Sequence, residues 1–305
     1  MKAVRFDHYG GLEVLEVRDV ERPVPAAGEV LVAVKAAGIN PGEIPIREGL
    51  LHDRFPATFP SGEGTDFAGV VEDLGPGAEG FAAGDAVIGW TERRASHAEF
   101  VAVPTEWLIG KPQALSWEVA GSLFVASMAA YGCVEAVAPK PGEVVAVSGA
   151  AGGVGSIAVQ LAARTGTTVI GLASASNHEW LRGRGVIPVA YGDGQEERIR
   201  QATNGRVDAF IDTFGGGYVE LAISLGVPPD RINTIADFAA VERFGVHAEG
   251  THQTATSAKL AEVAGLVADG SIEVSIARTY PLAQVREAYA DLARRKTHGK
   301  IVLIP

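Results

Sequence analysis

Cysteine is nearly absent: the 305 residues hold one, Cys133. A single thiol excludes an intrachain disulfide and a cysteine-rich structural zinc site, and it fits a reducing compartment. Long hydrophobic runs are missing as well. The longest uncharged stretch, Val119 to Val134, is broken by Gly121, Ser122, Ser127 and Gly132. It falls short of the about 20 residues that a membrane span needs and reads as a buried helix. The start, MKAVRFDHYG, has no basic segment followed by an apolar one, so the expectation is a cytoplasmic protein with no secretory leader and no membrane partner. Positive charge is scarce: 26 Lys and Arg against 37 Asp and Glu leave a net charge of −11. That balance repels phosphate backbones, and nucleic acid is not an expected partner.

Glycine, by contrast, is abundant. The 38 glycines follow no period of three, which points to tight turns and backbone-binding loops and away from collagen. With 47% hydrophobic and 21% charged residues the composition is globular, and at about 100–200 residues per domain the length favours two domains. The first third alternates short apolar runs with turn signals such as Gly10-Gly11, Gly75-Pro76-Gly77 and Gly84-Asp85, the texture of a β-rich domain. From about Ser116, alanine-rich helical patterns alternate with β-branched runs at Val144 to Val147, Thr167 to Gly171, Ile187 to Ala190, Val207 to Asp212 and Arg231 to Ile235. Alternation of this kind implies βαβ units, a parallel sheet and the α/β class. Phe244 to Gly250 reads as a last sheet strand. Two amphipathic helical patterns, Ala255 to Asp269 and Leu282 to Arg294, precede a terminal strand at Lys300 to Ile304.

Residues 144 to 162, VVAVSGAAGGVGSIAVQLA, place a small-residue turn between an apolar strand and a helix whose Ile157, Val159 and Leu161 can pack on a sheet. In a turn of this kind Gly152 admits a pyrophosphate to the backbone and Gly155 lets the helix sit close to the strand, while the helix N-terminus offers free N–H groups and the positive end of a dipole. Ala150 stands where GxGxxG carries its first glycine. The expected dinucleotide turn therefore comprises Ala150, Gly152, Gly153, Val154 and Gly155. After the next strand, TVIGLASASNH from Thr168 to His178 brings no acid before Glu179. An NAD site usually places a carboxylate there for the ribose hydroxyls, and a carboxylate would repel a 2′-phosphate. Ser174, Ser176 and Asn177 could instead donate hydrogen bonds to one, so NADPH is favoured; the other reading is an ordinary polar loop.

Three stretches, AAGINPGEIPIREG (36–49), GTDFAGVVEDLGPGAEGFAAGDAVIG (64–89) and SGAAGGVGSIAVQLA (148–162), together with the terminal GKIVLIP, resemble the zinc-independent branch of the medium-chain dehydrogenase/reductase superfamily, the quinone oxidoreductase or zeta-crystallin type. The resemblance implies a GroES-like β-barrel domain at 1–125 and 253–305, interrupted by a Rossmann doubly wound domain at 126–252, with an active site in a cleft between them. Zinc-dependent relatives carry a cysteine at the position of Asn40, a His-Glu pair at Thr65-Asp66 and a second cysteine near Val125. None of those ligands is kept, and no metal is expected. His247 and His252, five apart, do not share a face as a metal pair would.

Without a metal, the implied chemistry is hydride transfer from reduced nicotinamide to a quinone or an α,β-unsaturated carbonyl, the protein supplying orientation and a donor for the developing oxyanion. By resemblance Asn40 is a polar contact in the cleft, its alternative being to fix the turn before Pro41, and Tyr131 is its catalytic partner. Glu43, Pro45 and Ala129 depart from the family's pattern. Leu51 stands where enoyl-thioester reductases place a tyrosine, with His52 beside it. Phe214, Gly215, Ile235 and Ala236 would line the nicotinamide end, and Lys300 would reach the cofactor phosphates or else guard an exposed strand edge. A homodimer through the last sheet strand is expected. Two alternatives stay open: an enoyl-thioester reductase of the same superfamily, and a nucleotide-binding sensor or structural protein with little catalysis.

Overall fold

The computed structural model describes residues Met1–Pro305. The chain forms two compact units, Met1–Val125 with Thr256–Pro305, and Ala126–Ala255. The return to the first unit thus falls at residue 256, three residues after the expected boundary.

The first unit begins with β1 (Lys2–Arg5), β2 (Glu16–Asp19), β3 (Glu29–Gly38), β4 (Asp66–Leu74), β5 (Ala86–Trp90), β6 (Phe100–Pro104) and β7 (Leu108–Gly110). β3 is the spine. Its sequence EVLVAVKAAG is apolar almost throughout and buried on both faces, as befits a central strand rather than one with a wet face. Its first half pairs antiparallel with both β4 and β6, enclosing Val30, Val32, Val34, Phe67, Val71, Val101 and Val103 in one core. The short helix Glu43–Arg47 follows β3.

In the second unit, β8 (Val144–Val147), β9 (Thr168–Ala173), β10 (Ile187–Ala190), β11 (Ala209–Asp212) and β12 (Ile232–Thr234) form one sheet in the order β10-β9-β8-β11-β12. All four pairings are parallel. This is the doubly wound order, and the reversal at β8 opens a crevice at the carboxyl ends of the strands, where such sheets take ligands. The helix Gly155–Arg164 follows β8. Every residue from Gly155 to Ala162 is buried, so it is covered all round, more than the single Ile157/Val159/Leu161 face that the sequence suggests. The stretch expected as a last strand, Phe244 to Gly250, is corrected: Phe244 ends a helix, Gly245 turns at φ +70°, and only His247 bridges to Asn233. The Asn233 amide takes the place of a longer ladder. Its Oδ1 accepts from the Glu249 N–H at 2.8 Å and its Nδ2 donates to the Glu249 carbonyl at 3.0 Å.

The chain then returns to the first unit with the helix Ser257–Ala268, β13 (Ile276–Pro281), the helix Val285–Ala293 and β14 (Lys300–Ile304). β14 lies between β13 and the second half of β3. Leu282, Val285, Ala288, Tyr289, Ile301 and Leu303 there share a core with Val4, Phe6, Leu15 and Ile39. A chain end is thereby packed against a chain start, which accounts for the two-part unit. No helix is long and apolar enough to cross a membrane.

Candidate dinucleotide-binding site

The turn Ser148–Val154 leaves the carboxyl end of β8 and enters the helix Gly155–Arg164, whose N-terminus has no side-chain cap. The turn itself takes up its first N–H groups: Ser156 donates to the Gly152 carbonyl at 2.9 Å, and Ile157 and Ala158 to the Val154 carbonyl at 3.1 and 2.9 Å, so turn and helix are continuous and the dipole's positive end lies at the turn. Two glycines make the geometry possible. A Cβ on Gly155 would lie 2.2 Å from the Gly149 carbonyl oxygen, so helix and strand approach only because it is absent. Gly149 adopts φ +58°, a conformation that favours glycine. Sequence reasoning missed Gly149 because it sits one position before the register of GxGxxG. Ala150 is accommodated instead: its N–H donates to the Leu172 carbonyl at 3.1 Å, and its methyl lies over Gly171, where a second Cβ would come within 3.0 Å of it. A Cβ on Gly152 would meet only the Gly149 oxygen, at 3.2 Å, and otherwise open space. That leaves the room a pyrophosphate needs, and the turn fits the group.

After β9, Ser174, Ser176 and Asn177 come together. The two hydroxyls lie 2.9 Å apart and Asn177 Nδ2 donates to Ser174 Oγ at 3.1 Å. His178 follows, with Nε2 3.3 Å from the Ala173 carbonyl. Hydroxyl, amide and imidazole groups line this strand end with no carboxylate from Ser174 to His178.

The loops after β8, β11 and β12 meet at a residue that sequence reasoning did not single out, Asp212, which is fully buried. Its Oδ1 accepts from Ser148 Oγ at 2.6 Å and from the N–H groups of Phe214 and Gly215 at 3.0 and 2.9 Å. Its Oδ2 accepts from Thr234 Oγ1 at 2.8 Å. Phe214 and Gly215 are thus fixed at the end of β11. Gly215 lies against Ala236, whose Cβ would be 3.3 Å from one placed on the glycine. Ile235 donates its N–H to the Asp212 carbonyl at 3.0 Å. Tyr131 is half-buried on the helix Phe124–Val137.

Asn40 and Lys300 belong to a different constellation, inside the first unit. Lys300 Nζ donates to Asn40 Oδ1 at 2.5 Å and to the Ile39 carbonyl at 3.1 Å, with the Asp66 carboxylate 3.6 Å away. Asn40 Nδ2 lies 3.3 Å from carboxylate oxygens of both Glu43 and Asp66. Two expectations are corrected here. Lys300 is not an exposed edge lysine, because β14 is an interior strand and the ammonium is enclosed, 4% exposed, among acceptors of its own unit. Asn40 does not hold a free donor for a substrate, because both ends of its amide are engaged. The zinc-ligand positions do converge: Asn40 reaches Asp66, and Asp66 Oδ1 accepts from the Val125 N–H at 2.9 Å. The cation among them is the Lys300 ammonium.

The cluster continues through Tyr289, whose hydroxyl donates to Glu43 Oε2 at 2.6 Å, and Arg47, whose Nη1 donates to Glu63 Oε1 at 2.6 Å. Burial pushes the carboxyls of Glu43, Glu63 and Asp66 above their ordinary values; Glu63 reaches about 8, with Glu43 adding to the rise and Arg47 opposing it. The same burial pushes the His97 imidazole down to about 4 and holds the Tyr289 phenol well above its usual range. Three carboxyls thus share two cations, an arrangement that is neutral when one proton stays among them.

Comparison with known proteins agrees with this architecture. The profile of the alcohol dehydrogenase GroES-like domain matches residues 26–141, and that of the zinc-binding dehydrogenase family matches residues 185–303. The chain is 29% identical to the quinone oxidoreductase of Mus musculus over 100% of its own length and 98% of that protein's. Among solved structures it superposes on the quinone oxidoreductase from Coxiella burnetii with a TM-score of 0.90 at 30% identity, covering 100% of this chain and 99% of that one. The Escherichia coli quinone oxidoreductase complexed with NADPH gives a TM-score of 0.86 at 26% identity, with 100% of both chains covered. With a GroES-like unit, a doubly wound unit and full-length similarity at this level, the chain belongs to the medium-chain dehydrogenase/reductase family of oxidoreductases, quinone oxidoreductase type.

Proposed function

We propose that this chain is an NADPH-dependent reductase that passes hydride to a quinone or an α,β-unsaturated carbonyl without zinc. The observation that carries the cofactor choice is the joined Ser174, Ser176 and Asn177 group after β9, which offers hydrogen-bond donors and no carboxylate to a ribose 2′-phosphate. The Escherichia coli relative complexed with NADPH supports the same choice. Gly152, Gly153, Val154 and Gly155 would hold the pyrophosphate, and Phe214, Gly215, Ile235 and Ala236 the nicotinamide end. Bound there, reduced nicotinamide supplies a hydride, and an acceptor whose conjugated oxygen can take the charge needs no metal to polarise it. Tyr131, on the helix Phe124–Val137, is the second side chain of the proposed catalytic pair. The zinc-free reading rests on the donor set: Asn40 and Asp66 already enclose an ammonium, and Val125 brings only a backbone N–H to Asp66.

The test is a titration with NADPH and NADH, then NADPH oxidation against quinones, 2-alkenals, cyclic enones and an enoyl-CoA. NADPH binding about tenfold tighter than NADH is expected, with turnover of a quinone or enone that survives chelators. Equal affinities would remove the 2′-phosphate assignment, and chelator-sensitive turnover would remove the zinc-free one. Turnover of the enoyl-CoA alone would favour the enoyl-thioester reductase, and tight binding with no turnover the sensor. Sedimentation at assay concentration tests the homodimer.

A further inference from the structure

We infer that Asp212 is the positioning residue that holds the nicotinamide side of the dinucleotide site in its binding-competent form, and that it acts as a carboxylate. The inference rests on the nucleotide reading above. Hydrogen-bond direction carries it. Thr234 Oγ1 accepts from the N–H groups of Ala236 at 3.2 Å and Asp237 at 3.0 Å, so its lone pairs are taken and its one proton must go to Asp212 Oδ2, 2.8 Å away. Ser148 Oγ accepts from the Thr213 N–H at 2.9 Å and sends its proton to Asp212 Oδ1. The Phe214 and Gly215 N–H groups also point at Oδ1. Four donors from three loops converge, and only a group that accepts on both oxygens satisfies them all. An asparagine would turn an NH2 toward a Thr234 hydroxyl with no lone pair left, or toward three donors at the other end.

The dependence is sharpened by what Asp212 holds. Gly215, Gly216 and Gly217 all lie in the left-handed region, at φ +77°, +69° and +91°. Three consecutive glycines have no side chains to anchor them and many conformations to lose. The carboxylate fixes the entry to this run before any ligand arrives, which lowers the ordering cost of binding. None of its bonds reaches the Ser174, Ser176 and Asn177 group, which is built on the other side of β8.

The two halves of the cofactor therefore respond differently. Calorimetric titration of the full chain with NADPH and with 2′,5′-ADP, which carries only the adenine half, is compared for wild type, Asp212→Asn and Thr234→Val. Both variants are expected to keep their affinity for 2′,5′-ADP within about twofold while NADPH weakens about tenfold or more. Parallel loss of both ligands, or no loss of NADPH affinity, would overturn the role of Asp212. Wild-type protein that binds neither ligand would overturn the nucleotide reading itself. Thr234→Val, which removes one donor and keeps the carboxylate, carries the comparison if Asp212→Asn does not fold.

Discussion

Arg47 and Glu63 pair out of reach of water: Nη1 lies 2.6 Å from Oε1, and the side chains are 0% and 2% exposed. The pair sits in a cluster with more carboxyls than cations, so the Glu63 carboxyl, at about 8, keeps its proton well above the ordinary 4.5. A carboxyl raised in the folded state contributes stability that is whole below pH 4.5 and is lost as pH rises toward 8. Urea denaturation at pH 6.5 and 8 should show wild type losing on the order of 1 kcal/mol per pH unit, with Glu63→Gln nearly flat. Equal slopes would refute the assignment. Arg47→Met removes the cation that opposes the rise of the Glu63 carboxyl, so in that variant the loss of stability with rising pH should extend beyond pH 8.

His97 works in the opposite direction. Its imidazole is buried, with Nε2 3.2 Å from the Gly38 carbonyl, and takes up a proton only near pH 4 against 6.5 when unfolded. It contributes stability above pH 6.5 that is lost as pH falls toward 4. Between 4.5 and 6.5 its slope opposes that of Glu63, so wild-type stability should be nearly level there. His97→Gln should turn that plateau into a fall with rising pH. A plateau that persists in the variant would show that His97 is not its source.

Two glycines of the same turn should fail in different ways. Gly155→Ala drives a Cβ to 2.2 Å from a backbone oxygen, and thermal melting should show a loss of about 1–3 kcal/mol. Gly152→Ala meets only one atom, at 3.2 Å. It should melt near wild type yet bind NADPH more weakly. Unchanged affinity in Gly152→Ala would mean that the cofactor does not lie over this residue.

Cys133 reports on unfolding. The thiol is fully buried, and burial pushes it up to about 12, far from the thiolate that alkylating reagents need. Iodoacetamide at pH 8 should label the native chain only at the rate of global opening and the urea-unfolded chain within minutes. Rapid labelling of native protein would show that the Asn233 and Cys133 region opens locally.

Much of the fold was legible because its signals are local. Strand and helix alternation from Ser116 onward, glycine punctuation in the first third and the small-residue turn after Val147 each depend on residues near in sequence, so periodicity and steric demand expose them. Gly155 could be assigned a close-approach role because a helix that follows a strand so tightly has room for nothing larger. The Phe244 to Gly250 stretch was misjudged for the converse reason. Its β-like pattern is local, but whether it pairs is decided by Asn233, which caps Glu249 from another strand.

By itself, then, the amino-acid sequence determined the class, the two-part division of the chain, the family and the turn that takes a phosphate, all of which follow from pattern and short-range sterics. Only the tertiary structure decided which polar residues are spent internally. Asn40 and Lys300 look alike in sequence whether they serve a ligand or each other, and 260 positions separate them. Asp212 carries no motif of its own. Its part appears once β8, β11 and β12 bring Ser148, Phe214, Gly215 and Thr234 to one carboxylate. The fate of a buried polar group depends on which partners the whole chain folds around it, and that cannot be read from its neighbours in sequence.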